Sequence, residues 1–143
     1  MFDPTRDQAR RFFTESWRKH TDGEILTPLE DIAVRVVALH PEYHAMLAEP
    51  DALERDFRPE DGVINPFLHL SLHLAIEEQL GIDQPPGIRA AFERCLQRRD
   101  DHHAALHDVL ECLGETLFNA QRTQSPPDGA AYLACVRRRA GLP

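Results

Sequence analysis

The sequence predicts an all-α fold: a single-domain helical bundle of roughly six to eight helices spanning 1–143, with an apolar central helix at about 66–80. Three observations carry this. Apolar residues recur at helical spacing through almost every segment, and no period-two alternation is sustained anywhere. Proline, glycine and short polar residues separate those segments where helices start and stop. A chain of 143 residues suits one domain, because folding at that length removes roughly two-thirds of the unfolded surface from water.

Asp3-Pro4 opens the first helix, with Pro at the first helical position. Ala9, Phe12, Phe13, Ser16, Trp17 and His20 then share one face, and Thr21-Asp22-Gly23 ends it. Thr27-Pro28-Leu29-Glu30 has the form of a capping box and starts a second helix whose inward residues are Leu29, Ile32, Ala33, Val36 and Val37. Pro41 disfavours helical geometry at His40 and restarts the chain as a short helix to about Ala48. Residues 50–64, with Pro50, Pro59 and Gly62 among many charges, read as a connector with one turn of helix near Ala52–Asp56. Asn65-Pro66 begins the central helix, which runs through Leu80 to a Gly81 cap. After the Asp83–Gly87 turn, Ile88, Ala91, Phe92, Cys95 and Leu96 mark the buried face of the next helix. Asp100 or Asp101 caps a long helix to about Arg122. Its predicted seam is Leu106, Leu110, Leu113 and Leu117, and Gly114 allows a close neighbour. Ser125-Pro126-Pro127-Asp128 starts the last amphipathic helix, which contains Ala131, Tyr132, Cys135 and Val136 and ends in Arg137-Arg138-Arg139, cations suited to a helix C-terminus.

Composition narrows the function. Acidic residues outnumber basic ones, 24 against 16, for a net charge of −8. That sign repels phosphate backbones and anionic lipid, which argues against nucleic-acid and membrane partners; a small-molecule ligand or a protein partner stays open, as does oligomeric state. No membrane-spanning run or signal-peptide pattern is present, and the opening Met1-Phe2-Asp3-Pro4-Thr5 reads as a cytoplasmic N-terminus. Cys95, Cys112 and Cys135 are odd in number and far apart, and each sits in a helical pattern. They read as buried hydrophobes rather than a disulfide or a thiolate metal framework. The chain has no phosphate-binding glycine loop, no nucleophile elbow and no H-E-x-x-H.

Histidine usage is what remains. Six of the eight histidines fall in H-x-x-x-H pairs: His40/His44, His69/His73 and His103/His107. The last two pairs continue at the same spacing to Glu77 and Glu111, and the two blocks lie 34 residues apart. Residues four apart stack on one helix face about 6 Å along its axis, so two imidazoles can grip one ion and the next carboxylate can join them or bridge to a second. The candidate metal ligands are therefore His44, His69, His73, His103, His107, Glu77 and Glu111, with the His69/His73 and His103/His107 faces expected to point at one another. Mixed imidazole and carboxylate ligation suits iron, manganese or zinc. Redox chemistry at iron and hydrolysis at zinc are both open, and no catalytic residue is assigned. The alternative is a metal-free acidic helical adaptor in which mutual His–Glu hydrogen bonding finishes the core.

Phe2-Asp3-Pro4-Thr5-Arg6-Asp7, His40-Pro41-Glu42-Tyr43-His44, Asn65-Pro66-Phe67-Leu68-His69-Leu70-Ser71-Leu72-His73-Leu74 and Glu111-Cys112-Leu113-Gly114-Glu115 resemble the bacterial family called domain of unknown function 1841. The resemblance covers nearly the whole chain, with N-P-F-L-H-L its most specific stretch. It implies a small cytoplasmic proteobacterial protein and supplies no activity. A looser likeness of site type is to hemerythrin-like bundles, through His73-x3-Glu77, His69-x3-His73 and His103-x4-Asp108; here the first two motifs share one helix, where the hemerythrin order separates them.

Overall fold

The computed structural model describes residues 6–57 and 65–143. The Asp3-Pro4 helix start and the later part of the 50–64 connector lie outside them. The fold is all-α: among the described residues there are seven α-helices, one 3-10 turn and no strand, and no helix is long and apolar enough to cross a membrane. The order is α1 (Arg6–Thr21), α2 (Pro28–Ala38), a 3-10 turn (Pro41–Tyr43), α3 (His44–Ala48), α4 (Pro66–Ile82), α5 (Ile88–Arg99), α6 (His102–Thr123) and α7 (Gly129–Arg139). The chain divides into two compact units, 1–74 and 75–143, with the boundary inside α4.

In the first unit α1 packs on α2 and α3. Phe13, Ala33, Val36, Val37, Met46 and Leu47 make its core with Phe67, Leu70 and Leu74 from the start of α4. The entry to α2 is the expected capping box. Thr27 Oγ1 accepts from the Glu30 amide at 3.2 Å, and Glu30 Oε1 accepts from the Thr27 amide at 2.9 Å. Asn65 caps α4 in the same spirit, its Oδ1 accepting from the Phe67 and Leu68 amides.

Arg10 departs from the amphipathic reading of α1. It is only 2% exposed, although its position is polar in type. Its Nη1 donates to the carbonyls of Ala52, Leu53 and Arg55, at 3.4, 3.3 and 2.6 Å, and its guanidinium lies over the Phe67 ring at 4.9 Å and the Phe57 ring at 5.6 Å. A guanidinium carries five donors, so one side chain satisfies the carbonyls of a whole turn and ties 52–55 to α1. Burial is the main influence lowering its pKa from the ordinary value.

In the second unit α5, α6 and α7 pack pairwise on one another. Here the structure corrects several expectations. The buried face of α6 is Ala105, Leu106, Val109, Cys112, Leu113 and Thr116, while Leu117 is exposed and Leu110 only partly buried. Counting leucines alone placed the seam too far round the helix, because the small residues at 105, 109, 112 and 116 are what the neighbouring helices approach. Among the described residues Gly114 serves no close contact: a Cβ there would meet nothing within 4 Å. Gly81 lies within α4, and the left-handed position that closes the helix is Asp83 (φ 53°), with Gln84 N–H returning to the Gln79 carbonyl at 3.0 Å. Cys112 and Cys135 are joined as a disulfide between α6 and α7, with Cα atoms 5.8 Å apart, and only Cys95 is a free, buried thiol. Their 23-residue separation hid a pairing that α6–α7 packing creates.

Candidate metal centre

Helix α2 ends at Ala38, two residues before His40, because Pro41 holds its predecessor out of helical geometry (His40 φ −128°, ψ 65°). The His40 side chain then turns back over the end of α2, and its Nδ1 lies 2.8 Å from the Val36 carbonyl oxygen. A carbonyl only accepts, so Nδ1 carries the proton, and the ring in its neutral form would present the Nε2 lone pair on its other side. This is how metal-ligating histidines are commonly oriented, with the second nitrogen anchored to a backbone carbonyl.

His69 and His73 approach that lone pair from the opening turns of α4. His69 Nε2 lies 3.1 Å from His40 Nε2 and 3.2 Å from His73 Nε2. The three rings meet edge to face, with centroids 4.6 to 4.9 Å apart. His40 and His73 are each 1% exposed and His69 is half-buried. Tyr43 stacks on His40 with centroids 5.5 Å apart and closes one side of the group; burial pushes its hydroxyl pKa upward.

The proton count at these atoms is informative. With His40 Nε2 unprotonated, the 3.1 Å contact needs a proton on His69 Nε2 pointing at His40. That leaves His69 Nε2 no lone pair to accept from His73, so a single proton has to serve both contacts. A cation meets three converging lone pairs better. At metal–nitrogen bonds of about 2.0–2.1 Å, two ligands on a tetrahedral ion stand about 3.3 Å apart, close to the separations found here.

A family model described as "Domain of unknown function (DUF1841)" matches residues 5–138. The chain belongs to the DUF1841 family. No curated protein and no solved structure matches it.

The expected ligands of this DUF1841 chain divide as follows. His69 and His73 stand together, joined by His40. The sequence pairs His40 with His44 but leaves it out of the candidate ligands; in the fold it is the N-cap of the 3-10 turn, and its side chain joins His69 and His73. The H-P dipeptide at the end of an apolar helix was the available signal, because proline frees the preceding side chain to fold back. His44 is placed differently: its Nε2 donates to the Val37 carbonyl at 2.9 Å, and its ring lies on Trp17 with centroids 4.4 Å apart. His103 and His107 lie one turn apart on α6, with centroids 4.3 Å apart and ligand nitrogens within 4.8 Å of one another. Asp101 caps that helix, its Oδ1 accepting from the His103 amide at 3.1 Å. Glu77 follows His73 by one turn and is half-buried, whereas Glu111 is exposed and accepts from Arg139 Nη1 at 2.6 Å. Asp108 of the hemerythrin-like spacing is taken by Arg99 through two bonds of 2.8 and 2.9 Å. His102 is exposed against Phe92, and His20 is exposed against Trp17.

Proposed function

We propose that this protein binds a first-row transition metal ion, iron, manganese or zinc, through His40, His69 and His73. The observation that carries the reading is the convergence of three Nε2 atoms at 3.1 and 3.2 Å, with the tautomer of His40 set by the Val36 carbonyl. Neutral imidazoles suit these borderline ions, and thiolate-preferring copper(I) and oxygen-preferring calcium or magnesium fit the donor set poorly. His103 and His107 are the second candidate group, with Glu77 the nearest carboxylate in sequence to His73. Within this proposal His44 positions the group: by holding the Val37 carbonyl it steadies the chain on which His40 sits.

The test is elemental analysis of untagged protein, repeated for His40→Gln and His73→Gln and separately for His103→Gln with His107→Gln. Close to one ion per chain, lost in His40→Gln or His73→Gln, is the expected result. An ion lost only in the His103/His107 variant assigns that pair an ion of its own. Protein that is metal-free and takes up no added Fe²⁺, Mn²⁺ or Zn²⁺ would leave the adaptor reading in front.

A further inference from the structure

The second unit contains a concentration of positive charge that the metal proposal does not use. A cavity of about 320 Å³ is lined by four arginines, Arg98 and Arg99 from the last turn of α5 and Arg138 and Arg139 from the last turn of α7. Cations at helix C-termini are ordinary, because they meet the negative end of the helix dipole. The dipole accounts for each pair on its own helix. It does not account for both pairs facing one cavity in a chain with a net charge of −8.

Three of the four guanidiniums are held in place by neighbours. Arg99 makes a two-pronged pair with Asp108, at 2.9 and 2.8 Å, and the Asp108 side chain is only 5% exposed. Arg139 bonds Glu111 at 2.6 Å and stands 3.7 Å from Asp108. Arg98 donates to the carbonyl of Arg139 at 3.3 Å, and it reaches there because residue 141 is glycine: at φ +78°, a Cβ on Gly141 would sit 2.8 Å from Arg98 Nη1. The sequence thus spends a left-handed glycine on letting this guanidinium lie across the end of α7. Asp108 and Glu111 together offset two of the four charges. Among the described residues two positive charges are left over, one on Arg98, whose guanidinium is already held across the end of α7, and one on Arg138.

We propose that this arginine cavity binds a phosphate group of a small ligand. A phosphate near neutral pH carries −1.5 to −2 charges and three acceptor oxygens, which matches the excess charge and the forked donors. The volume lies at the small end of ligand sites, and the basic lining is one cavity rather than a stripe, so a discrete anion fits where a nucleic-acid backbone would not. No metal is involved, so this site stands or falls separately from the histidine group.

The experiment is calorimetric titration of the full chain with inorganic phosphate, and in parallel with phosphoserine, at constant ionic strength near 0.15 M. Saturable one-to-one binding of phosphate is expected. Arg138→Gln, at one of the two arginines with no carboxylate partner among the described residues, should weaken it at least tenfold, and Gly141→Ala should weaken it by displacing Arg98. Arg11→Gln, an exposed arginine of the first unit, should leave it unchanged. Equal affinity for the two probes marks free phosphate as the ligand, and tighter phosphoserine marks a phosphate ester; either supports the site. No saturable heat up to 20-fold above millimolar phosphate, equal weakening by Arg11→Gln and Arg138→Gln, or binding of duplex DNA without any response to phosphate would each overturn it. Circular dichroism melts of the variants separate lost binding from lost folding.

Discussion

Replacing His73 by Gln tests the histidine group most directly, because His73 is buried at 1% exposure and glutamine can still hydrogen-bond but ligates these ions poorly. The Nε2 atoms already stand 3.1 and 3.2 Å apart, near the roughly 3.3 Å of two ligands on a tetrahedral ion, so the folded chain accepts an ion with little rearrangement while the unfolded chain does not hold the three nitrogens together. Binding to the native state alone stabilises it by RT ln(1 + [L]/Kd), about 2.7 kcal/mol at a hundredfold excess over Kd. For a chain of this size that is a rise in Tm on the order of 10 °C. Thermal melts followed by circular dichroism, with chelator and then with excess Fe²⁺, Mn²⁺ or Zn²⁺, read it directly. The wild type should gain that shift and His73→Gln should show none. Protons compete with metal for imidazole, so the gain should also fade as pH falls through the ordinary histidine range near 6.5. A wild-type melt indifferent to both chelator and metal, on protein verified metal-free beforehand, would refute the reasoning.

Arg10→Met should lower unfolding free energy by about 2–3 kcal/mol in urea titration, since it strips a charged donor from the carbonyls of Ala52, Leu53 and Arg55 while keeping much of the apolar stem. Ser16 is fully buried with no hydrogen-bond partner for its hydroxyl among the described residues, so Ser16→Ala should be neutral or stabilising by up to about 1 kcal/mol in the same assay. Reducing the Cys112–Cys135 bond opens a 23-residue loop and should cost about 3 kcal/mol of stability, and mass spectrometry of alkylated protein checks that the two thiols become accessible together. Arg99 bound two-pronged to Asp108 holds that carboxyl below its ordinary value. A depressed folded pKa contributes stability above the unfolded value near 3.9 that is lost as pH falls below it, so Asp108→Asn should flatten the acid limb of a stability–pH curve below about pH 4.

Helix starts were legible because they are local. Thr27 and Glu30, Asn65, Asp101 and Asp128 satisfy amide groups within three residues of themselves, so the pattern and the structure coincide at each. Inward faces followed wherever large apolar residues decided them, as in α2 and α5. They failed in α6, where Thr116 and Cys112 are buried and Leu117 is not, because the neighbour's shape selects which side of a weakly amphipathic helix is covered. His69 and His73 were visible as a pair on one face. Their companion His40 was not, since its direction depends on a chain reversal at Pro41 and on a carbonyl of the preceding helix.

The amino-acid order alone determined the helical class, most helix boundaries and the histidine pairs, all of which rest on interactions reaching one helical turn. Only the tertiary structure decided that Arg10 is interior, that Cys112 finds Cys135, that His40 rather than His44 stands with His69 and His73, and that four arginines share a cavity. Those contacts join residues 23 to 45 positions apart. At such separations sequence spacing carries no geometric constraint, and the packing of whole helices sets which side chains meet.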